Sequence, residues 1–116
     1  VVFLGWEPHP INATVALKYL PGGEAFFGEE GVVKTMARKG FKEECPNVAK
    51  LLSQQTFTLP MENEIMGKIL DDGMDPDEAV LEWLKAHPET VDPWLAGVTT
   101  RDGAEALAAV KQTLGL

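Results

Sequence analysis

The pattern of apolar and polar positions changes character near residue 40. Before it, residues 1–5 (VVFLG) form a short apolar run, β-branched and aromatic, ended by glycine. Such a run predicts a buried strand. Residues 6–12 (WEPHPIN) read as a loop, because Pro8 and Pro10 both lack a backbone donor and restrict φ. Residues 13–20 alternate at Val15, Leu17 and Tyr19 and predict a half-buried strand. Pro21-Gly22-Gly23 is a turn, residues 24–31 read as loop, and residues 32–38 are a third strand candidate.

After Gly40 the period becomes helical. Pro46 suits the first position of a helix, and Val48, Leu51 and Leu52 recur at i, i+3 and i+4. Pro60 opens a second helix with Met61, Ile65, Met66, Ile69 and Leu70 on one side, and Gly73 stops it. Asp75-Pro76-Asp77-Glu78 is a helix start, with Asp at the cap, Pro at N1 and Glu at N3. That helix is expected to bury Val80, Trp83, Leu84 and His87. Pro88 begins a short helix reaching Leu95. Asp102 and Glu105 frame the cap of a last helix, with Leu107, Val110 and Leu114 inside.

Strands come first, and four to five helices follow. Three strands cannot cover that many apolar helix faces. The order fits the end of an α/β domain whose sheet was begun elsewhere, so the chain reads as cut from something longer. Its length of 116 residues allows one domain or a piece of one. A net charge of -8 argues against nucleic acid, whose binding needs clustered Lys and Arg. Apolar residues make up 45% of the chain, enough for a core, yet no apolar run is long enough for a membrane-spanning helix. A single cysteine excludes an internal disulfide.

Candidate chemistry concentrates in residues 6–12. Trp6 directly follows a buried strand, and open α/β sheets bind ligands at the carboxyl ends of their strands. An indole there offers its π face to a cation; the alternative is a tryptophan that packs the loop. His9 either donates a hydrogen bond to a ligand carboxylate or braces the loop against a backbone carbonyl. Glu7 and His9 lack a metal-site partner at helical spacing, and His87 is remote in sequence. The aspartates at 71–77 superficially suggest a calcium loop, but Pro76 stands where such a loop needs glycine, and helix capping explains them better. Cys45 is either a structural thiol or one half of a disulfide whose partner lies outside the chain. Trp83 and Trp94 sit at core spacing. No nucleophile–base pair or metal spacing supports an enzyme, and no cofactor motif is present.

The run Val2-Phe3-Leu4-Gly5-Trp6-Glu7-Pro8-His9-Pro10-Ile11-Asn12 resembles the W-x-P-H segment of substrate-binding proteins for quaternary amines. These are the glycine betaine, proline betaine and choline receptors of ABC importers. Further matching segments are LKYLPGG at 17–23, GFKEECPNVAKLL at 40–52, MENEIMG at 61–67 and DPWLAG at 92–97. Pro10 and the ECPNV segment point to the choline-binding branch. The resemblance implies the C-terminal portion of a type II periplasmic-binding-protein fold. Residues 1–12 would end the second lobe, residues 13–21 would be the returning hinge strand, and residues 22–116 would be the C-terminal half of the first lobe. Trp6 matches one ring of the family's aromatic box around the trimethylammonium group, and His9 matches the motif histidine. Cys45 matches a cysteine often paired in a disulfide, here to an upstream half. The implied setting is extracytoplasmic or periplasmic, with a membrane permease as partner.

One ring contributes roughly 0.5–2 kcal/mol, whereas micromolar binding needs about 8 kcal/mol. The isolated chain is therefore expected to bind weakly unless another chain completes the box. Its uncovered apolar faces are expected to drive homo-oligomers. The competing reading is a non-catalytic helical interaction or assembly domain whose tryptophans are all structural.

Overall fold

The computed structural model describes residues 1–28 and 33–116. Among them the regular structure is helical. The helices are α1 (Ile11–Thr14), α2 (Glu24–Phe27), α3 (Phe41–Glu44), α4 (Pro46–Gln54), α5 (Leu59–Leu70), α6 (Pro76–Ala86), α7 (Val91–Trp94) and α8 (Ala106–Leu114), with a 3-10 turn at Pro88–Thr90.

The strands expected at residues 1–5 and 13–20 do not form. A strand's N–H and C=O groups need a neighbouring strand. Among the described residues the only bridge is an isolated antiparallel pair, Thr99 with Glu105. Residues 1–5 are irregular, and residues 11–14 become the single turn α1. Residues 33–38, most of the third strand candidate, are also irregular; Val32 lies outside the described residues, as do residues 29–31 of the expected loop. Residues 24–27 of that loop form α2.

The helical half follows the sequence closely, because its signals are local. Pro46 opens α4 with Cys45 at the cap. Thr58 caps α5, its hydroxyl accepting the Met61 N–H. Gly73 takes a φ of 71°, which only glycine adopts without strain, and the Met74 N–H returns to the Lys68 carbonyl. Asp75 Oδ1 accepts the Asp77 N–H at 2.9 Å and starts α6, so Asp75 is spent on capping.

A core gathers from α5 onward. Met61, Trp83, Leu84, Val91, Trp94, Leu95, Val98 and Ala106 are buried together, with Leu51, Ile65, Leu107, Val110 and Leu114 packed against them. Two exposed faces were expected inside. Val80 is 41% exposed, and Ala79 at 0% takes its place. Ala79 and Trp83, one turn apart, are the buried positions of α6 together with Leu84. Leu70 and Val48 are also exposed. On α4 the face turned to the core's last segment is polar instead. Asn47 exchanges two hydrogen bonds with the Thr99 backbone (2.7 and 2.9 Å), Lys50 Nζ donates to the Gly97 carbonyl, and Gln54 donates to the Trp94 carbonyl. The positions i, i+3 and i+7 thus hold backbone groups of residues 94–99, from the end of α7 to Thr99.

The last helix is entered differently from expectation. Glu105 occupies the cap position but makes no side-chain cap bond. Asp102 instead accepts the Thr100 hydroxyl within the turn. Lys111 pairs with Asp92 at 2.5 Å, and Lys68 with Glu82 at 2.6 Å, tying α8 to α7 and α5 to α6.

Among the described residues of the first 36 there is no comparable core. Val1, Val2, Leu4, Leu20, Phe26, Phe27, Val33 and Met36 are all exposed. The radius of gyration is 17.9 Å. A compact domain of this length would have about 13 Å.

Candidate ligand-binding loop

Residues 6–12 form the loop singled out by the sequence, and it is held by its own side chains. Asn12 is the staple. Its Nδ2 donates to the carbonyls of Trp6 (3.1 Å) and His9 (3.0 Å), and its Oδ1 accepts the Tyr19 hydroxyl at 3.0 Å. One amide side chain thereby draws together Trp6, His9 and Tyr19.

His9 is half-buried, and its Nδ1 accepts the Ile11 N–H at 3.2 Å. The loop-bracing role is therefore real, made through a backbone N–H rather than a carbonyl. An accepting Nδ1 places the proton of neutral imidazole on Nε2, leaving that nitrogen as a donor. Trp6 and His9 meet edge to face, with ring centroids 5.6 Å apart and planes at 83°. Trp6 remains 61% exposed, so its indole is oriented by the loop yet largely uncovered.

The loop is attached to the helical body by one hydrogen bond and by packing. The His9 N–H donates to Asn63 Oδ1 on α5 at 2.8 Å. Pro10 is buried, and α1 lies against α5. A shallow cleft between them is lined by Pro10, Ala13, Thr14, Asn63 and Glu64. Trp6 does not line it.

The other tryptophans have different surroundings. Trp83 stacks on His87 with centroids 4.2 Å apart and donates Nε1–H to Glu64 Oε2 at 2.7 Å. Trp94 packs against Phe57 at 5.5 Å. His87 is thereby remote from His9 in function as well as in sequence: its Nδ1 lies 3.0 Å from the Trp83 carbonyl. Among the described residues no three His, Cys, Asp or Glu side chains group as a metal site. Cys45 is a half-buried free thiol at the start of α4, away from the loop.

The sequence reading singled out Trp6 and His9 and missed Asn12, Tyr19 and Asn63. Asn12 and Asn63 lay inside recognised segments, WEPHPIN and MENEIMG, but an amide's role depends on which backbone group it meets. Tyr19 was assigned to a strand face.

A net charge of -8 favours a cation over an anion. An exposed indole beside an imidazole N–H suits a ligand with a diffuse positive end and an oxygen at the other.

Comparison with known proteins gives the same direction. The profile of the family described as the substrate binding domain of ABC-type glycine betaine transport systems matches residues 1–86. The glycine betaine/carnitine transport binding protein GbuC of Listeria monocytogenes serotype 1/2a (strain 10403S) is 34% identical over 105 residues. That alignment spans 90% of this chain and 35% of the relative. Two solved structures are similar. One, an ABC-transporter choline binding protein in complex with choline, is 50% identical with a TM-score of 0.79, covering 96% of this chain and 39% of that one. The other, an ABC-transporter choline binding protein in an unliganded semi-closed conformation, is 54% identical with a TM-score of 0.77, covering 97% and 40%. The chain thus spans about two fifths of the solved relatives' length, and its fold is that of a periplasmic-binding-protein portion, mostly helical. With the family profile matched from residue 1 to residue 86, the chain belongs to the substrate-binding domains of ABC-type glycine betaine transport systems.

Proposed function

We propose that this chain supplies part of a receptor for quaternary amines such as choline or glycine betaine, and that Trp6 contributes one wall of its aromatic box. A quaternary ammonium cannot donate hydrogen bonds and carries a diffuse charge, so aromatic faces are its natural receptor. The observation that carries the reading is the exposed Trp6 indole, set edge to face on His9 by the Asn12 staple. His9 Nε2–H is available to an oxygen at the ligand's other end. No catalysis is involved, since the family captures ligands for import.

The finer assignments follow the same reading. Residues 1–12 end the second lobe of a type II fold, residues 13–21 cross the hinge, and residues 22–116 belong to the first lobe. Cys45 pairs with a cysteine of an upstream half. The receptor works outside the cytoplasm and delivers to a membrane permease. The exposed apolar residues of the first 36 positions support association of isolated chains with one another. A single monomeric species in sedimentation at high concentration would count against that last point.

The decisive experiment grafts residues 1–116 in place of the matching segment of the choline-binding relative and measures choline affinity by calorimetry. The graft is expected to bind choline and not ethanolamine. Trp6→Ala is expected to weaken choline binding by up to about 30-fold, the equivalent of one desolvated cation–π contact of about 2 kcal/mol. Unchanged affinity in Trp6→Ala would overturn the assignment of Trp6.

A further inference from the structure

We infer that Asn63 is the positioning residue that seats the Trp6–His9 loop on helix α5. The inference rests on the ligand-binding role proposed for that loop. Its origin is a count of backbone donors. In Pro8-His9-Pro10 both prolines lack an N–H, so His9 has the only backbone donor of the three. That donor goes to Asn63 Oδ1 at 2.8 Å, across 54 positions of sequence. The loop's other side-chain bonds stay within residues 6–19: Asn12 to the Trp6 and His9 carbonyls, the Tyr19 hydroxyl to Asn12, and the Ile11 N–H to His9 Nδ1. They give the loop a shape but do not anchor it to the helical body. Among the described residues the Asn63 bond is the hydrogen bond that joins residues 6–12 to α5, beside the packing of Pro10 and α1 on that helix.

The bond acts on Trp6 through two short steps. Asn63 fixes the His9 backbone. The His9 ring meets the Trp6 indole at 5.6 Å, and Asn12 ties the Trp6 and His9 carbonyls to one amide. The neighbouring residue on α5, Glu64, accepts the Trp83 indole N–H from the core. One turn of α5 therefore holds the loop with one residue and the core with the next. The Trp6 face moves as one body with α5, and a box that includes it stays aligned without ordering a free loop on binding.

Hydrogen exchange and relaxation of the 116-residue chain test this without ligand. Asn63→Leu removes the acceptor at similar size. It is expected to raise exchange at the His9 amide by about tenfold and to increase motion of the Trp6 indole N–H, while the Trp83 indole signal stays in place. Asn63→Asp keeps Oδ1 and is expected to restore His9 protection. If Asn63→Leu perturbs the Trp83 signal, Asn63→Ala is read instead. Unchanged His9 exchange in the acceptor-less variant, or no restoration by Asp, would overturn the inference. In the grafted receptor, Asn63→Leu is expected to weaken choline binding about fivefold, and full retention of affinity would equally overturn it. The two readings fail separately. A Trp6→Ala graft with unchanged affinity removes the role of Trp6 in binding, whereas the His9 amide reports only on Asn63.

Discussion

Trp83→Phe, set beside Trp6→Ala, distinguishes a tryptophan that holds the fold from one offered to a ligand. Trp83 is 6% exposed, stacks on His87 and donates its indole N–H to Glu64. Phenylalanine keeps an apolar ring there and loses two things. The bond to a carboxylate is charge-assisted, but Glu64 is exposed and regains water, so its loss costs about 1 kcal/mol. The ring shrinks by roughly 40 Å³, which costs about 1 kcal/mol at ~24 cal/mol per Å³ of cavity. The sum is about 2 kcal/mol. Trp83→Ala removes the whole ring and should cost about 3–5 kcal/mol. Trp6 is 61% exposed, and its ring partner among the described residues is His9 alone, so Trp6→Ala should cost about 1 kcal/mol or less. The assay is urea unfolding followed by far-ultraviolet circular dichroism, since the mutations alter the fluorophores. With a slope of about 1–2 kcal/mol per molar urea, Trp83→Phe should lower the midpoint by about 1–2 M. A change below about 0.5 kcal/mol for Trp83→Phe would refute the packing argument. So would a larger loss in Trp6→Ala than in Trp83→Phe, and it would favour the assembly-domain reading in which every tryptophan is structural.

Two further predictions address the register of α6 and the turn before α8. Ala79 has no exposed surface, so Ala79→Leu should destabilise by about 1–3 kcal/mol through overpacking, while Val80→Ala at 41% exposure should cost much less. Thermal melts that rank the two in the opposite order would overturn the observed helix rotation. The Thr100 hydroxyl bonded to Asp102, aided by nearby backbone N–H groups, holds that carboxyl below the usual aspartate range. A lowered carboxyl favours the folded turn above the ordinary aspartate range, and that contribution is lost as pH falls through the lowered value. An NMR titration of Thr100→Val should move the Asp102 midpoint upward, and an unmoved midpoint would show that the hydroxyl is not the cause.

The legible parts of the chain are those decided within a few residues. Pro46, the Asp75 cap and Gly73 mark helix ends by local chemistry, and the structure keeps all three; Pro60 falls in the first turn of α5, whose cap is Thr58. Trp83 and Trp94 are read as core from spacing alone, and both are buried. Trp6 and His9 are found because the loop's prolines and its likeness to the W-x-P-H segment are written in consecutive residues. Three matters needed the tertiary structure. The apolar runs at residues 1–5 and 13–20 carry strand character, but a strand exists only where a second backbone satisfies it, and no ladder forms among the described residues. The buried face of α6 takes Ala79 and leaves Val80 outside, because packing partners brought by the fold, rather than hydrophobicity alone, decide how a helix is rotated. Asn12 and Asn63 acquire their roles only when folding brings particular carbonyl and N–H groups within 3.1 Å of them. Local signals thus determine where helices begin and end. Pairing, helix rotation and the anchoring of the loop depend on backbone groups distant in sequence, and only the folded chain brings those together.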